Sequence, residues 1–415
     1  MKVWILQTGE PLHIDSAGLR PMRAMNLSNA LIAKGHQVVL WSSDFDHFSK
    51  KHRTGKTSTI QYSENLEIRV VASRGYKSHV GLSRLFDHAQ LAFNLRKELK
   101  SQTPPDVAFI GYPPIETAWV MTNWLTKKKI KFLLDVKDAW PDVLLRAFPT
   151  KLQFFARVAL SPYFLISAQT FRNATGLSSV TQPFLDWCLK KAKRSQSAAD
   201  IVAPLTAPEL IVSEDELKTA NRWLDELGIT DSEIVRGSFV GTINSAFNFE
   251  PILMAAKSTS VQFVIAGDGP FANALRSRIQ DLPNVIMPGW ISQTQSKALA
   301  NRSTFMLAPV KALDDFSMSI PNKFYDAMAH GLPIFTSITG VAKDLIEKEG
   351  IGICYSDSDI GEFEASLKKL SFSDEAFLRM SNNSQSLFNN KFSFQLTYDR
   401  LIEHLLSLSK KNSNK

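Results

Sequence analysis

The sequence predicts an α/β protein with two doubly wound domains, each a mainly parallel sheet covered by helices. Three observations predict it. Short apolar segments alternate with helical patterns, these segments are continuously apolar, and 415 residues exceed what one ordinary hydrophobic core supports. Continuously apolar strands are typical of parallel sheets, because helices bury both faces of such a sheet.

The first half of the chain contains five predicted strands and three predicted helices. The strands are KVWILQTG, HQVVLWSS, NLEIRVVAS, DVAFIGY and KFLLDV, and the helices are RPMRAMNLSNALIAKG, RLFDHAQLAFNLRKELKSQ and ETAWVMTNWLTKKK. The opening run is too short for the apolar region of a signal peptide, so we expect it to be a buried strand.

The second half repeats this alternation without a detectable sequence repeat. Its predicted strands are GSFVGTI, QFVIAGDG, NVIMPGW, TFMLAPV, LPIFTSI and GICYS, with a helical pattern after each of them. Pro and small residues interrupt the periodicity at 196–209, which predicts the boundary between the domains. We therefore expect an N-terminal domain over residues 1–200 and a second domain over 205–390. Ligands of such folds bind at the carboxyl ends of the strands, so two facing domains would form a cleft.

Composition and charge exclude several functional classes. A hydrophobic content of 44% with 21% charged residues is typical of a globular protein. Two cysteines do not make a disulfide framework and argue against a zinc site, so we expect a cytoplasmic protein. The formal net charge of +8 is concentrated at 126–131, 190–194 and the last residues. Such clusters indicate an anionic partner or simply a solvated surface, and no nucleic-acid-binding motif accompanies them.

Residues 140–194 differ in character from the rest. They mix Phe and Leu with Lys and Arg at helical spacing. This pattern favours either an amphipathic surface that lies on an anionic membrane or acceptor, or a pair of ordinary core helices, and the two interpretations are compatible.

The segment SIPNKFYDAMAHGLP, residues 319–333, contains the strongest candidate site. Ser319 is expected to cap a helix whose first turn contains Pro321 and Lys323. A cation there opposes the helix dipole, which is explained if an anion such as a phosphate binds at the helix end. Asp326 shares the face of Lys323 and is placed to accept hydrogen bonds from a ribose. The alternative is an exposed Lys–Asp pair without a ligand.

This segment resembles the donor-binding segment of glycosyltransferase family 4, whose pattern is S-x-P-x-K-x-x-E-x-x-A-x-G-x-P. Further resemblances follow in the family's order, namely RAMNLSNALIAKGHQVVLW, DVKDAWP, FVGTINSAFNFEPILMAAK, FVIAGDGP, NVIMPGW and FSFQLTYDRLIEHLLSL. The resemblance spans nearly the whole chain. It implies the GT-B fold, with two Rossmann-like domains facing a central cleft, and a C-terminal helix over 391–415 that crosses back to the first domain.

The resemblance also assigns roles to individual residues. It implies that Lys323 binds the diphosphate of a nucleotide sugar and Asp326 the ribose, with Ser319, Pro321 and Asn322 around them. The other implied donor contacts are Gly289, Trp290 and Ile291 at the base, Gly241 and Thr242 near the phosphates, and Gly18 from the first domain. No metal site and no cofactor other than the donor substrate are expected.

Three departures from the family pattern bear on the donor site. Asp326 stands where the family usually has Glu, and Met318 stands where the first Glu of its E-x7-E form contacts the donor sugar. Backbone N–H groups of residues 316–319 are the expected replacement for that Glu. The segment VGTINSAFNFEP lacks the Arg and Lys that many members place on the phosphates, a gap shared by members acting on bacterial polysaccharides.

The implied function is a retaining transfer of a hexosyl or N-acetylhexosaminyl group from a nucleotide-diphosphate sugar, UDP-linked by preference. The acceptor would be a lipid-linked or glycan acceptor of bacterial surface polysaccharide synthesis, met on the inner face of the cell membrane. Asp138 is the candidate for an acceptor-side polar or basic role, or else a structural residue before Pro141. His13 is a second candidate in a loop after the first strand. The alternatives are a sugar-nucleotide 2-epimerase and an inactive nucleotide-sugar-binding homologue.

Overall fold

A computed structural model describes residues 1–16, 19–77, 81–145, 148–231, 233–311, 317–370, 372 and 374–410. The chain forms two compact units. The first comprises Met1–Pro204 together with Thr397–Lys415, and the second is the continuous segment Leu205–Leu396.

The first unit contains an eight-stranded sheet. Its strands are β1 (Lys2–Leu6), β2 (Gln37–Ser43), β3 (Ser58–Ser63), β4 (Leu66–Val71), β5 (Val107–Tyr112), β6 (Phe132–Val136), β7 (Gly176–Ser179) and β8 (Ile201–Val202). Their order is β3-β4-β2-β1-β5-β6-β7-β8, and all neighbours are parallel except β3 and β4. The five strands predicted for this half are confirmed. The strand β3 was missed because its sequence STIQYS is polar and largely exposed at the sheet edge.

Helices cover both faces of this sheet. They are α1 (Arg23–Ala33), α2 (Leu82–Glu98), α3 (Ile115–Lys127), α4 (Asp142–Leu145), α5 (Gln153–Ala159), α6 (Ser161–Asn173) and α7 (Gln182–Ala192). The region 140–194, predicted as amphipathic or core helices, therefore holds four short helices and the strand β7. Some large apolar side chains of α5 and α6 are buried and others are exposed to solvent. Phe171 is buried, whereas Phe154, Phe155 and Leu165 are exposed.

The second unit contains a six-stranded parallel sheet in the order β11-β10-β9-β12-β13-β14. Its strands are β9 (Arg236–Val240), β10 (Gln262–Ala266), β11 (Val285–Gly289), β12 (Phe305–Ala308), β13 (Ile334–Thr336) and β14 (Gly352–Cys354). The six strands predicted for this half are confirmed. The strand order reverses between β9 and β12, and ligands of doubly wound sheets bind at such a point.

The helices of the second unit follow its strands. They are α8 (Glu214–Glu226), α9 (Glu250–Ser258), α10 (Ala272–Arg278), α11 (Gln293–Asn301), α12 (Asn322–Ala329), α13 (Val341–Glu349), α14 (Ile360–Lys369) and α15 (Glu375–Leu387). A π-helical turn at Phe388–Phe392 leads into α16 (Phe394–Lys410). Buried apolar residues of the strands and helices form the cores on the two faces of this sheet.

A buried ionic contact joins several parts of the first unit. The Arg23 Nε atom lies 3.6 Å from an Asp135 carboxylate oxygen, and both side chains are almost fully buried. Arg23 also donates to the Ala203 carbonyl at 2.5 Å, and its guanidinium lies 5.8 Å from the centre of the Tyr398 ring of α16. The side chain of Arg23 thus connects the strand β6, the end of the segment Met1–Pro204 and the helix α16.

Candidate functional site

The candidate site is centred on the start of α12, after the strand β12. The helix begins at Asn322 with Pro321 as its N-cap residue, at φ −59° and ψ 143°, and no side chain caps it. The prediction that Ser319 is the N-cap is therefore wrong. The reason is Pro321, which disfavours a helical conformation of the residue before it and so postpones the helix start. The first-turn N–H groups receive no side-chain cap, as an anion site requires.

Lys323 is the second residue of this helix, as its predicted first-turn position requires. Its Nζ atom is shielded from solvent and has no hydrogen-bond partner among the described residues. The same atom lies 4.0 Å from the ring centre of Phe239 and 4.4 Å from that of Phe247. Burial lowers the pKa of Lys323 to about 7, and the nearby charge of Asp326 opposes this shift. Within the described part of the chain, the ammonium is thus held beside two aromatic rings without a hydrogen-bond acceptor.

Gly241 follows β9 and approaches the same ammonium. A Cβ atom at this position would lie 3.2 Å from Lys323 Nζ, and the φ angle of +156° disfavours a side chain. The Gly241 N–H is bonded to the Ala266 carbonyl, while the neighbouring Thr242 is exposed. The absence of a side chain keeps the space beside the ammonium open for a ligand.

The predicted base-binding residues lie at the end of β11. Gly289 has a φ of +84°, and its carbonyl accepts a hydrogen bond from Gly267 at 2.6 Å. The side chain of Trp290 is 75% exposed, whereas that of Ile291 is buried in the core. The backbone of 289–291 therefore turns at the carboxyl edge of the sheet with the large indole group in solvent.

The segment before α12 is fixed by the helix α13. The Val341 N–H donates to the Ser317 carbonyl at 2.9 Å. Met318 and Ser319 follow, half-buried, and Asp326 lies one turn into α12, also half-buried. Phe316, whose backbone N–H was expected to help hold the sugar, and Gly18, expected to face the donor, lie outside the described residues.

His13 and Asp138 belong to the first unit. A His13 Nε2–Asn29 Oδ1 contact of 2.8 Å and the ring of Tyr62 at 5.1 Å hold the imidazole. Burial lowers the pKa of His13, with the Asn29 contact opposing, so the ring is neutral at physiological pH. Asp138 follows β6 and retains an exposed surface. Desolvation by its surroundings raises the pKa of the Asp138 carboxyl, and the charges of Lys137 and Arg84 oppose the shift.

Sequence reasoning missed Phe239 and Phe247. Phe239 is fully buried on β9, and Phe247 lies in the loop before α9, where its backbone pairs with Val310 after β12. Both rings line the Lys323 ammonium, and they belong to the run FVGTINSAFNF, which contains no Arg or Lys. A signal was present in the aromatic-rich run FVGTINSAFNF, but only the tertiary packing shows which rings reach the lysine.

The described residues contain no group of three or more His, Cys, Asp or Glu side chains placed to hold a metal ion. In the part of the chain that the structure covers, no helix is long and apolar enough to cross a membrane.

A comparison with families of known proteins gives a match to part of the second unit. Residues 245–371 match the sequence profile of the family described as Glycosyl transferases group 1, a segment that contains Lys323 and Asp326. No curated protein sequence matches the chain.

Solved structures match over nearly the full length. Sucrose-phosphate synthase from Thermosynechococcus elongatus superposes with a TM-score of 0.69 at 15% identity, over 99% of this chain and 100% of that one. HepE from Anabaena in complex with UDP-glucose superposes with a TM-score of 0.64 at 14% identity, and the match covers 98% of this chain and 100% of HepE. WaaG, a glycosyltransferase involved in lipopolysaccharide biosynthesis, superposes with a TM-score of 0.63 at 12% identity, and the match covers 97% of this chain and 99% of WaaG. These similarities confirm the predicted GT-B fold with two Rossmann-like domains.

Proposed function

We propose that this protein is a retaining glycosyltransferase that moves a sugar from a UDP-sugar to a lipid-linked or glycan acceptor. The observation that carries the proposal is the buried Lys323 ammonium, which has no hydrogen-bond partner among the described residues at an uncapped helix start. A buried cation is costly without an anionic partner, and a diphosphate supplies one. The family match over 245–371 and the UDP or UDP-glucose in the HepE structures support this reading.

The chemistry follows from the charges that develop during transfer. As the bond between the sugar C1 and the diphosphate oxygen breaks, negative charge grows on the leaving phosphate. Lys323 and the first-turn N–H groups of α12 are positioned to stabilise that charge. The acceptor hydroxyl then forms the new bond to C1 on the same face, and its proton passes to the departing phosphate oxygen. Retention of configuration is the expected result.

Asp138 is the proposed acceptor-side residue. A carboxylate with a raised pKa is a stronger hydrogen-bond acceptor than an ordinary one, which suits it to orient the attacking hydroxyl while the proton passes to the phosphate. His13 is neutral, so we assign it a hydrogen-bonding role toward substrate. Asp326 is the proposed ribose ligand, where the shorter carboxylate replaces the usual Glu of the family pattern.

A donor screen tests the proposal. Nucleoside diphosphates and their sugars are added to the wild type and to Lys323→Ala while the melting temperature is recorded. We expect UDP and a UDP-sugar to stabilise the wild type and to lose this effect in the variant. Equal UDP affinity in the two proteins would remove Lys323 from the site and with it the main support for the proposal.

A second candidate function is nucleotide-sugar binding without turnover. It is favoured by Met318, which stands where a sugar-contacting Glu is expected. Incubation of the pure protein with UDP-sugar, with and without a panel of glycan and lipid-linked acceptors, separates the candidates. Transfer to an acceptor supports the transferase, conversion of the donor alone indicates an epimerase, and binding without any reaction supports the inactive homologue.

We also propose that the exposed face of α5 and α6 rests on an anionic membrane. Phe154 is 71% exposed, Phe155 66% and Leu165 67%. Lys151 and Arg157 are exposed beside them, which suits an anionic lipid surface. In this setting the enzyme would act at the inner face of the cell membrane on acceptors for surface polysaccharide or glycoconjugate.

Sedimentation with vesicles tests this surface. We expect the wild type to sediment with vesicles that contain anionic lipid and to remain in solution with neutral ones. Phe154→Ser combined with Phe155→Ser should abolish sedimentation. Ile211→Ser is the control. Ile211 is an apolar side chain that is 94% exposed but lies outside α5 and α6, so this variant should sediment like the wild type.

A further inference from the structure

A buried ion pair joins two loops at the carboxyl edge of the first sheet. Glu10 follows the strand β1, and Lys137 follows β6. The Lys137 ammonium donates a hydrogen bond to the Glu10 carboxylate, and the two side chains are 14% and 3% exposed. His13 lies in the same loop as Glu10, and Asp138 is the residue after Lys137. The ion pair therefore adjoins both residues assigned to the acceptor side of the reaction.

The carboxylate of Glu10 is held in place by the start of α1. Its second oxygen accepts a hydrogen bond from the Ala24 N–H at 2.8 Å. The helix begins at Arg23, and its N-cap residue Met22 provides no side-chain hydrogen bond. Glu10 thus supplies from another segment the cap that the helix lacks, where the helix dipole favours a negative charge. This position of the carboxylate does not depend on Lys137.

The backbone that carries Lys137 and Asp138 is fixed by other contacts. The Lys137 N–H donates to the Tyr112 carbonyl at 3.2 Å, and the Trp140 N–H donates to the Asp138 carbonyl at 2.8 Å. The Tyr112 hydroxyl donates to the Trp140 carbonyl at 2.9 Å. Because Glu10 takes part in none of these contacts, it acts on the Lys137 side chain and not on the path of the loop.

Asp138 itself keeps a carboxylate without a protein partner. In the part of the chain that the structure describes, its side chain makes no hydrogen bond and no ion pair, although a lysine is its immediate neighbour. Burial raises the pKa of the Asp138 carboxyl, and the charges of Lys137 and then Arg84 oppose this shift. Both cations therefore favour the ionised form without contacting it, and the carboxylate oxygens stay available to a ligand.

We propose that Glu10 is a positioning residue for the transfer: it draws the Lys137 ammonium toward α1 and so leaves the Asp138 carboxylate free to orient the acceptor hydroxyl. The inference rests on the proposed function, because Asp138 has this role only in that reaction. A lysine has a long, flexible stem, and a neighbouring carboxylate attracts its charge. Without Glu10 the ammonium would pair with Asp138, occupy its oxygens and lower its pKa. Glu10 acts in this way through Lys137 and not by contact with the substrate.

The alternative is an ion pair that only ties the two loops together. Its loss would lower the melting temperature and leave the proton affinity of Asp138 unchanged. The pKa of Asp138 therefore separates the two roles, and it is measurable in the full chain without any substrate.

The test follows the Asp138 carboxyl by NMR in protein with isotope-labelled aspartate carboxyl carbons. Asp138→Asn identifies the signal, which is then titrated with pH in the wild type, Glu10→Gln, Lys137→Met and the double variant. Glu10→Gln can keep the hydrogen bond from Ala24 through its one carbonyl oxygen, so α1 stays capped while Lys137 loses its counter-charge. The double variant leaves no charge at the pair and replaces Lys137→Met if that single change unfolds the protein.

Glu64→Gln is the matched control. It makes the same substitution at an exposed residue in the turn between β3 and β4. Melting temperatures establish that all variants are folded.

We expect Glu10→Gln to lower the pKa of Asp138 by about 1 unit or more, as an opposite charge within contact distance does. Lys137→Met and the double variant should both raise it, because the ammonium that favours the ionised form is gone. These two variants should agree to within about 0.3 unit, since Glu10 acts only through the lysine. Glu64→Gln should leave the pKa unchanged, because an exposed charge is screened.

An unchanged Asp138 pKa in Glu10→Gln overturns the inference, and the ion pair is then only a structural tie. A decrease of equal size in Glu64→Gln, or a decrease in the double variant, also overturns it, because the effect then does not pass through Lys137. Failure of the proposed function is seen separately, as the absence of any UDP effect on the melting temperature of the wild type. If UDP stabilises the wild type while the Asp138 pKa is the same in Glu10→Gln, the positioning role alone is lost.

Discussion

Arg23 in the first unit and Lys323 in the second both carry a buried cationic group, and the surroundings of these two groups are opposite. In the first unit Arg23 is paired with Asp135, and it also donates to the Ala203 carbonyl. In the second unit the Lys323 ammonium lies among two aromatic rings and has no hydrogen-bond partner among the described residues. A buried cation that faces a carboxylate has its counter-charge within the fold, whereas a buried cation without a hydrogen-bond acceptor indicates a place for an anion.

The largest expected contrast is in stability. Arg23→Met leaves the Asp135 carboxylate buried without its cation and should lower the free energy of unfolding of the first unit by about 3–5 kcal/mol. Lys323→Met removes a buried cation for which the described residues supply no hydrogen-bond acceptor, so the second unit should unfold at an unchanged or higher temperature. Scanning calorimetry of both variants without ligand measures this. A comparable destabilisation by Lys323→Met would make that lysine a structural residue, and the contrast between the units would disappear.

The next contrast concerns pH. Because the pKa of Lys323 is lowered to about 7, the ammonium loses its proton as the pH rises above that value. UDP affinity should therefore fall between pH 7 and 9, by up to about tenfold per unit, since a diphosphate binds the charged form. The Lys323→Arg protein should lack this dependence because a guanidinium remains charged. Calorimetric titration of UDP at pH 7, 8 and 9 tests it, and a flat profile in the wild type would contradict the shifted pKa.

The lowered pKa of Lys323 should make the stability of the unliganded protein rise with pH, whereas it makes UDP affinity fall. The folded protein releases the Lys323 proton near pH 7, whereas the unfolded chain keeps it until a pH above 10, so the unfolded state binds more protons in this window. The stability of the unliganded second unit should therefore rise with pH across that range. Lys323→Met should remove this rise, which distinguishes it from the titration of other groups.

The smallest expected effect comes from Gly241. Gly241→Ala places a methyl group 3.2 Å from the Lys323 ammonium and should weaken UDP binding about 5- to 10-fold. Gly228→Ala is the matched control, because Gly228 also has a positive φ, of +75°, but has open space around its Cβ position. Both changes should cost similar stability, about 1 kcal/mol. If the two variants bind UDP equally well, the space beside the ammonium does not belong to the donor site.

How much the sequence revealed differs between the parts of the molecule. The main strands and helices were predictable because parallel sheets require continuous apolar runs. The exceptions are the polar edge strand β3, the strand β7 with the sequence GLSS, and the two-residue strand β8. Lys323 was predictable because a lysine in the first turn of a helix opposes the helix dipole. The error at Ser319 arose because capping propensity was considered without the constraint that a proline imposes on the preceding residue.

The surroundings of Lys323 were not predictable. Phe239 and Phe247 reach the lysine from a different strand and loop, and no local pattern specifies such a contact. Local chemistry therefore identified one charged residue of the site, whereas the identity of its neighbours depends on topology.

The return of α16 to the first unit bears on how the protein is made. The second unit is one continuous segment, Leu205–Leu396, whereas the first is completed only by Thr397 and the residues after it. While the second unit is being synthesised on the ribosome, the first unit still lacks Leu401, Ile402 and Leu405, which are buried in the finished protein. The unit that begins at the amino terminus is thus the last to be completed, and until then it leaves apolar surface uncovered in the nascent chain.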